Sequence, residues 1–159
     1  MITKTRDIRL LLDNVRSVYN VGSIFRTAET MNVTRIYCLG TTPVPIDRFG
    51  RKRKDFAKVS LGAEDMVAWE HISEVDELIN ELKKDGFQIL SVEQSEDAVD
   101  YKKIKPQSKT LVIFGNEVDG VSSSLLKMSD LIAEIPLQGK KESLNVSVSV
   151  GIALYGIFG

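Results

Sequence analysis

The sequence predicts an α/β domain with a mostly parallel sheet flanked by helices. Helical and strand patterns alternate along the chain, the order that pairs strands in parallel through helical crossovers. The segments FQILSV (87–92) and TLVIFG (110–115) are continuous apolar runs, typical of strands covered on both faces. The 159 residues suit one domain spanning 1–159, large enough to build a core without disulfides or metals.

The elements follow in order. IRLLLDN (8–14) reads as a strand ending in an Asp-Asn turn pair. Residues 21–31 place Ile24, Ala28 and Met31 on one helical face, with Asn20 as N-cap. RIYCLG (35–40) is a buried strand closed by glycine. TTPVPIDRFGRKRK (41–54), with two prolines, a glycine and a charge block, is expected to be a mobile loop. A short helix over 55–63 precedes the strand MVAWEHI (66–72), where Trp69 is a core or interface anchor. Ser73 is expected to cap a helix, EVDELINELKKDG, that ends at Gly86. After the strands at 87–92 and 110–115 come a helix at 122–129, a strand at 131–136 and a final segment, 143–158.

Composition excludes several classes. With 43% hydrophobic and 27% charged residues the chain is neither disordered, collagen-like nor a coiled-coil rod. No apolar run reaches the roughly 18 residues of a membrane span, and the N-terminus lacks a signal-peptide pattern. The lone Cys38 allows no internal disulfide, which fits a reducing cytoplasm, and reads as a core filler. One cysteine and one histidine exclude a Cys/His zinc site within one chain, so no metal is expected. They also remove Ser-His-Asp and Cys-His chemistry unless His71 carries it alone, and His71 lies outside every motif. G-x-G and G-K-[ST] phosphate grips are both missing.

The net charge of −1 hides an asymmetry. Residues 1–58 hold 12 of the 21 Lys/Arg and only 5 of the 22 Asp/Glu. The peak is DRFGRKRKDFAK, containing Arg48, Arg51, Lys52, Arg53 and Lys54, a block suited to phosphate. A solvated loop is the alternative reading.

In an open parallel sheet the ligand lies beyond the carboxyl ends of the strands. Two segments there, FGNEVDG (114–120) and IPLQGKKESLN (135–145), are dense in glycine, amides and hydroxyls, whose backbone groups can approach a ligand closely. A third, NVGSIFRTA (20–28), opens the first helix with Asn20 and Arg26. Six residues apart, those two lie about 120° out of alignment and share no stripe.

In order and spacing these segments resemble the three motifs of the SpoU (TrmH-like) branch of the SPOUT RNA methyltransferases: N-x-G-x-x-x-R-x-A, F-G-N-E-x-x-G and I-P-(x)-S-L-N-V-S. The resemblance covers roughly residues 8–158. It implies a C-terminal deep trefoil knot (SPOUT, α/β-knot), an S-adenosyl-L-methionine donor, a homodimer, and methyl transfer to a ribose 2′-hydroxyl of tRNA or rRNA. The catalytic residues it implies are Arg26, Asn20, Glu117, Ser143 and Asn145. The donor pocket it implies is built around Leu90, Phe114, Gly115, Asn116, Gly120, Ile135, Leu137, Ser143, Leu144 and Asn145. A bulky residue at Gly115 is then expected to block the donor and spare the fold. RNA contacts are assigned to Asn14, Arg26 and the block Arg48, Arg51, Lys52, Arg53 and Lys54.

The family gives the arginine a base-like role. A guanidinium keeps its proton, so Arg26 reads better as an electrostatic stabiliser of the oxyanion, with Glu117 orienting it or accepting the proton. SVSVGIALYGIFG (147–159) departs from the family's more alanine-rich pattern. Its Ser-Val alternation is strand-like locally, and the resemblance makes it a helix at the dimer interface. A catalytically silent RNA-binding or assembly factor on the same fold is the alternative function. The intact Asn20, Arg26, Glu117, Ser143 and Asn145 argue against it.

Overall fold

The computed structural model describes residues 5–159. Its described residues form one seven-stranded sheet in the order β3-β2-β1-β6-β4-β7-β5, with every pairing parallel. The strands are β1 (Asp7–Asp13), β2 (Arg35–Leu39), β3 (Ala68–Ile72), β4 (Gln88–Val92), β5 (Val99–Asp100), β6 (Lys109–Gly115) and β7 (Leu131–Glu134). The two-residue β5 lies at an edge and carries too little pattern to be read from sequence.

The helices are α1 (Val18–Thr30), α2 (Lys54–Ser60), α3 (Asp76–Lys84), α4 (Ser123–Met128) and α5 (Val146–Phe158). The parallel sheet is covered on both faces, as its apolar strands require. On one side α1, α2 and α5 bury Ile24, Phe25, Phe56, Val150 and Leu154 against Leu10, Leu12, Leu90 and Val112. On the other, α3 and α4 bury Ile79, Leu82 and Leu125 against Leu11, Ile89, Leu111 and Ile113. Phe25 and Phe56 meet edge to face at 5.1 Å, fixing α2 on α1.

Several local expectations change. Ser17, not Asn20, caps α1, accepting from the Asn20 amide at 3.1 Å; Asn20 is already inside the first turn. The helix after Ser73 begins only at Asp76, with Val75 at the capping position and no side-chain cap. The helix expected over 55–63 stops at Ser60, where Leu61 and Gly62 turn left-handed. The proline-rich loop is held at its root: Thr42 is buried and its hydroxyl accepts from the Val15 amide at 3.1 Å.

α5 is a helix despite its Ser-Val alternation. Val146, Val150, Ala153, Leu154 and Ile157 are buried at helical spacing, and burial outweighs the weak intrinsic preference. Cys38 is fully buried, which pushes its thiol up to about 12 and makes it an inert filler. Trp69 packs against the core's edge. The His71 ring nitrogen lies 2.7 Å from the Gly40 carbonyl, a tie between β3 and the β2 turn.

Candidate active site

Parallel strands deliver their following loops to one end of the sheet, and the site is built there. In register, Asp13 of β1 lies beside Gly115 of β6, and Val92 of β4 beside Ala133 of β7. The segments after β4, β6 and β7 therefore surround one cavity of about 520 Å³, within the usual range for small-molecule sites.

The loop after β6 is closed on itself. The Asn116 and Gly120 amides each donate to the other's carbonyl, at 3.1 and 3.0 Å. Asn116 Oδ1 accepts from the amides of Val118 and Asp119, and its Nδ2 donates to the Asn14 carbonyl at 2.7 Å. From β4, the Glu93 carboxylate accepts from the Val121 amide at 2.9 Å. Gly120 takes φ +70°, and a Cβ there would stand 2.1 Å from Glu93 Oε2. A Cβ at Gly115 would stand 2.1 Å from the Gly120 carbonyl carbon and the Val121 nitrogen. A bulky residue at Gly115 therefore breaks the loop itself, contrary to the expectation that it would spare the fold.

The lining explains what the cavity can hold. Phe114, Val92, Ile135, Leu137 and Leu144 give it apolar walls. Glu93, Glu117, Asp119 and Glu142 give it carboxylates, and no lysine or arginine is among its lining residues. Such a site rejects phosphates and suits a cationic ligand with an apolar body.

Beside the cavity, three separated segments meet in one hydrogen-bonded chain. The buried Asn20 donates from Nδ2 to Glu117 at 3.1 Å and accepts at Oδ1 from Asn145 Nδ2 at 3.1 Å. Asn145 caps α5, accepting from the Ser147 amide at 2.9 Å. The Glu117 carboxylate also accepts from the Arg16 and Ser17 amides at 3.2 and 3.3 Å, at the positive end of α1. Burial alone would push Glu117 up. The bonds from Asn20, its own amide, Arg16 and Ser17 outweigh burial and hold it below its ordinary value. Glu117 is thus held as a carboxylate by these bonds, and it makes no hydrogen bond to Arg26 within the chain.

A depressed carboxyl contributes stability that is complete above its unfolded value and lost as pH falls through its folded one. Glu117→Gln should therefore lower Tm near neutrality and flatten the fall in Tm below about pH 4.5. Scanning calorimetry across pH 3–7 tests this, and an unchanged acid limb would contradict it.

The other assigned residues divide. Phe114, Gly115, Asn116, Gly120, Ile135, Leu137, Ser143 and Leu144 line the cavity. Leu90 does not: it is fully buried in the core, on the same face of β4 as the cavity-lining Val92 but two residues deeper in the strand. The side chain of Asn14 is engaged within the chain. Its Oδ1 accepts from the Thr41 amide at 2.9 Å and its Nδ2 donates to Asp13. It joins the root of the basic loop to the loop after β6. Arg26 is exposed about two turns beyond Asn20, in a groove shared with Ser23, Thr27, Thr30, Ile152 and Tyr155, outside the cavity of its own chain. Of the basic block, Arg51 pairs with Asp47, Lys52 with Asp65 and Arg53 with Asp55, whereas Arg48 and Lys54 make no ion pair among the described residues. The cavity carboxylates of Glu93, Asp119 and Glu142 lie in or beside the segments expected to hold the donor, but sequence reasoning assigns no role to their charge.

The sequence model of the SpoU rRNA Methylase family matches residues 7–155. The chain belongs to this family. It is 30% identical over 152 residues to an Aquifex aeolicus tRNA (guanosine(18)-2′-O)-methyltransferase, covering 96% of this chain and 69% of that protein. The corresponding Escherichia coli enzyme is 28% identical over 149 residues, covering 94% of this chain and 62% of the enzyme. A crystal structure of an A. aeolicus TrmH/SpoU tRNA modifying enzyme superposes with TM-score 0.83 at 28% identity, over 96% of this chain and 74% of that one. An AdoMet-bound rRNA methyltransferase from Sinorhizobium meliloti gives 0.83 at 25%, over 98% of this chain and 57% of that one. This SpoU-family chain thus shares the SPOUT fold. Among its described residues no helix is long and apolar enough to cross a membrane, and no cluster of His, Cys, Asp and Glu could hold a metal.

Proposed function

We propose that the protein is an S-adenosylmethionine-dependent RNA methyltransferase acting on a ribose 2′-hydroxyl of tRNA or rRNA. The observation that carries this is the acidic, base-free cavity at the carboxyl end of the sheet, built by the motifs that define the family. A sulfonium donor matches it: an apolar adenosyl body for the Leu137, Ile135 and Phe114 walls, and a cationic centre for the carboxylates. The backbone of 114–120 and 135–145 would hold it. When bound, it supplies a methyl group on an electrophilic sulfonium. Calorimetry should show binding without RNA; no heat and no thermal shift at millimolar donor would overturn the reading.

The chain's own residues supply position and charge. The Glu117–Asn20–Asn145 chain ties the N-termini of α1 and α5 to the loop after β6, which holds the donor side of the site in place. Arg26 remains protonated and stabilises negative charge developing on the 2′-oxygen, whose proton passes to solvent as the methyl group is transferred. Within one chain it lies on the α1–α5 face, which also exposes Tyr19, Val148 and Tyr155. α5 is apolar nearly all round, a pattern that calls for covering on more than one side. We therefore propose a homodimer across this face, in which Arg26 of the partner subunit reaches the cavity. The trefoil knot is likewise a proposal. In its support, the chain leaves β7, beyond β4, and must return across the site at 135–145 before α5 docks on α1 and β6.

The basic block is proposed to grip phosphate, exchanging exposed ion pairs that contribute little. Charge reversal at Arg51, Lys52 and Arg53 should weaken RNA binding. It should also reduce the slope of log affinity against log salt by about one per lost contact. Donor affinity should stay constant. An unaltered slope would return the block to a solvated role.

A further inference from the structure

Phe49 is 66% exposed at the tip of the loop between β2 and α2, the most basic stretch of the chain. The tip is ordered from within. Asp47 Oδ1 accepts from the Phe49 and Arg51 amides at 2.8 and 3.0 Å, and the Asp47 amide donates to the Arg51 carbonyl at 2.8 Å. Ile46 and Lys52 form an antiparallel bridge, and Gly50 closes the turn at φ +77°. The guanidinium carbons of Arg48 and Arg51 stand 4.8 and 5.0 Å from the Phe49 ring centroid. The loop's root is joined through Thr41 and Asn14 to the loop after β6 at the cavity.

Phe49 is an exposed ring over which the Arg48 and Arg51 guanidiniums lie; a base that stacks on the ring takes the place of a guanidinium, which is released toward the nucleotide's phosphate. Unpaired bases stack on such rings whatever their identity, while paired bases are already stacked on each other. We infer that Phe49, with Arg48 and Arg51, is a base-stacking subsite for an unpaired nucleotide of the RNA substrate. The inference rests on the RNA-methyltransferase reading above. The polyanion is the occupant that the charge of the block selects.

Phe49→Ala should weaken binding of a hairpin with an unpaired loop by about 5- to 100-fold, the range that base–aromatic stacking spans on alanine substitution. The salt slope should stay constant, because no charge is removed. Affinity for a fully paired duplex of equal length should not change, and Phe49→Trp should restore hairpin binding, with its fluorescence quenched by the hairpin and not by the duplex. Equal losses on hairpin and duplex, a changed slope, or no rescue by tryptophan would overturn the inference. So would Phe49→Ala binding the hairpin as wild type does, which leaves the methyltransferase reading intact. Wild-type protein that binds donor but no RNA would overturn both.

Discussion

Arg26→Ala should bind S-adenosylmethionine as wild type does and lose methyl transfer by at least about 10²–10³-fold, the cost of removing one oxyanion-stabilising donor. Arg26 is exposed, outside its own chain's cavity, so neither the donor loops nor the core is touched by the change. The dimer makes the prediction sharper. Leu137→Arg, which places a cation in a cavity built for one, should be equally inactive because the donor is excluded. If Arg26 acts across the interface, each site needs motif one from one chain and donor loops from the other. Mixed dimers of the two inactive proteins then contain one intact site. With random pairing and independent sites, co-expression should restore about a quarter of wild-type activity. Mixed dimers that form and stay inactive would refute a trans site of this kind.

Gly115→Ala should abolish donor binding and lower stability together. The added methyl lies 2.1 Å from backbone atoms of Gly120 and Val121, and backbone cannot rotate aside as a side chain can. Forced overpacking of this kind costs about 1–3 kcal/mol, and Tm should fall by about 2–4 °C for each. Gly139→Ala, with nothing within 4 Å of the new methyl, is the stability control and should leave Tm unchanged. Calorimetric Tm and donor titration read both effects; a Gly115→Ala protein with wild-type Tm would contradict the closed-loop account.

The sheet is legible in the sequence because its central strands are short, apolar throughout and bounded by turn residues, as strands buried on both faces must be. The edges are less so. β5 is two residues long, and the helix expected to begin after Ser73 starts two residues late, at Asp76, without a side-chain cap. α5 shows the limit from the other side: its local alternation favours a strand, and only the core it enters makes it helical.

Within the site, the motif residues Asn20, Glu117 and Asn145 are identifiable from sequence, but their roles are not. Their chemistry is ambiguous until the folded chain shows that they bond to one another across 97 and 125 residues of sequence. Only then is Glu117 seen to tie the loop after β6 to the start of α1. Leu90 departs from expectation because closeness to a motif does not tell how deep in the core a side chain lies. The carboxylates of Glu93, Asp119 and Glu142 carry the cavity's charge, yet a single acidic residue after a strand has no signature of its own.

Mass spectrometry of 2′-O-methylated nucleosides in tRNA and rRNA tests the central claim most directly. RNA from cells lacking the gene should lose one such modification, which should return with wild-type protein and fail to return with Arg26→Ala. An unchanged nucleoside profile in the deletion strain, or full restoration by Arg26→Ala, would contradict the assignment of methyl transfer to this site.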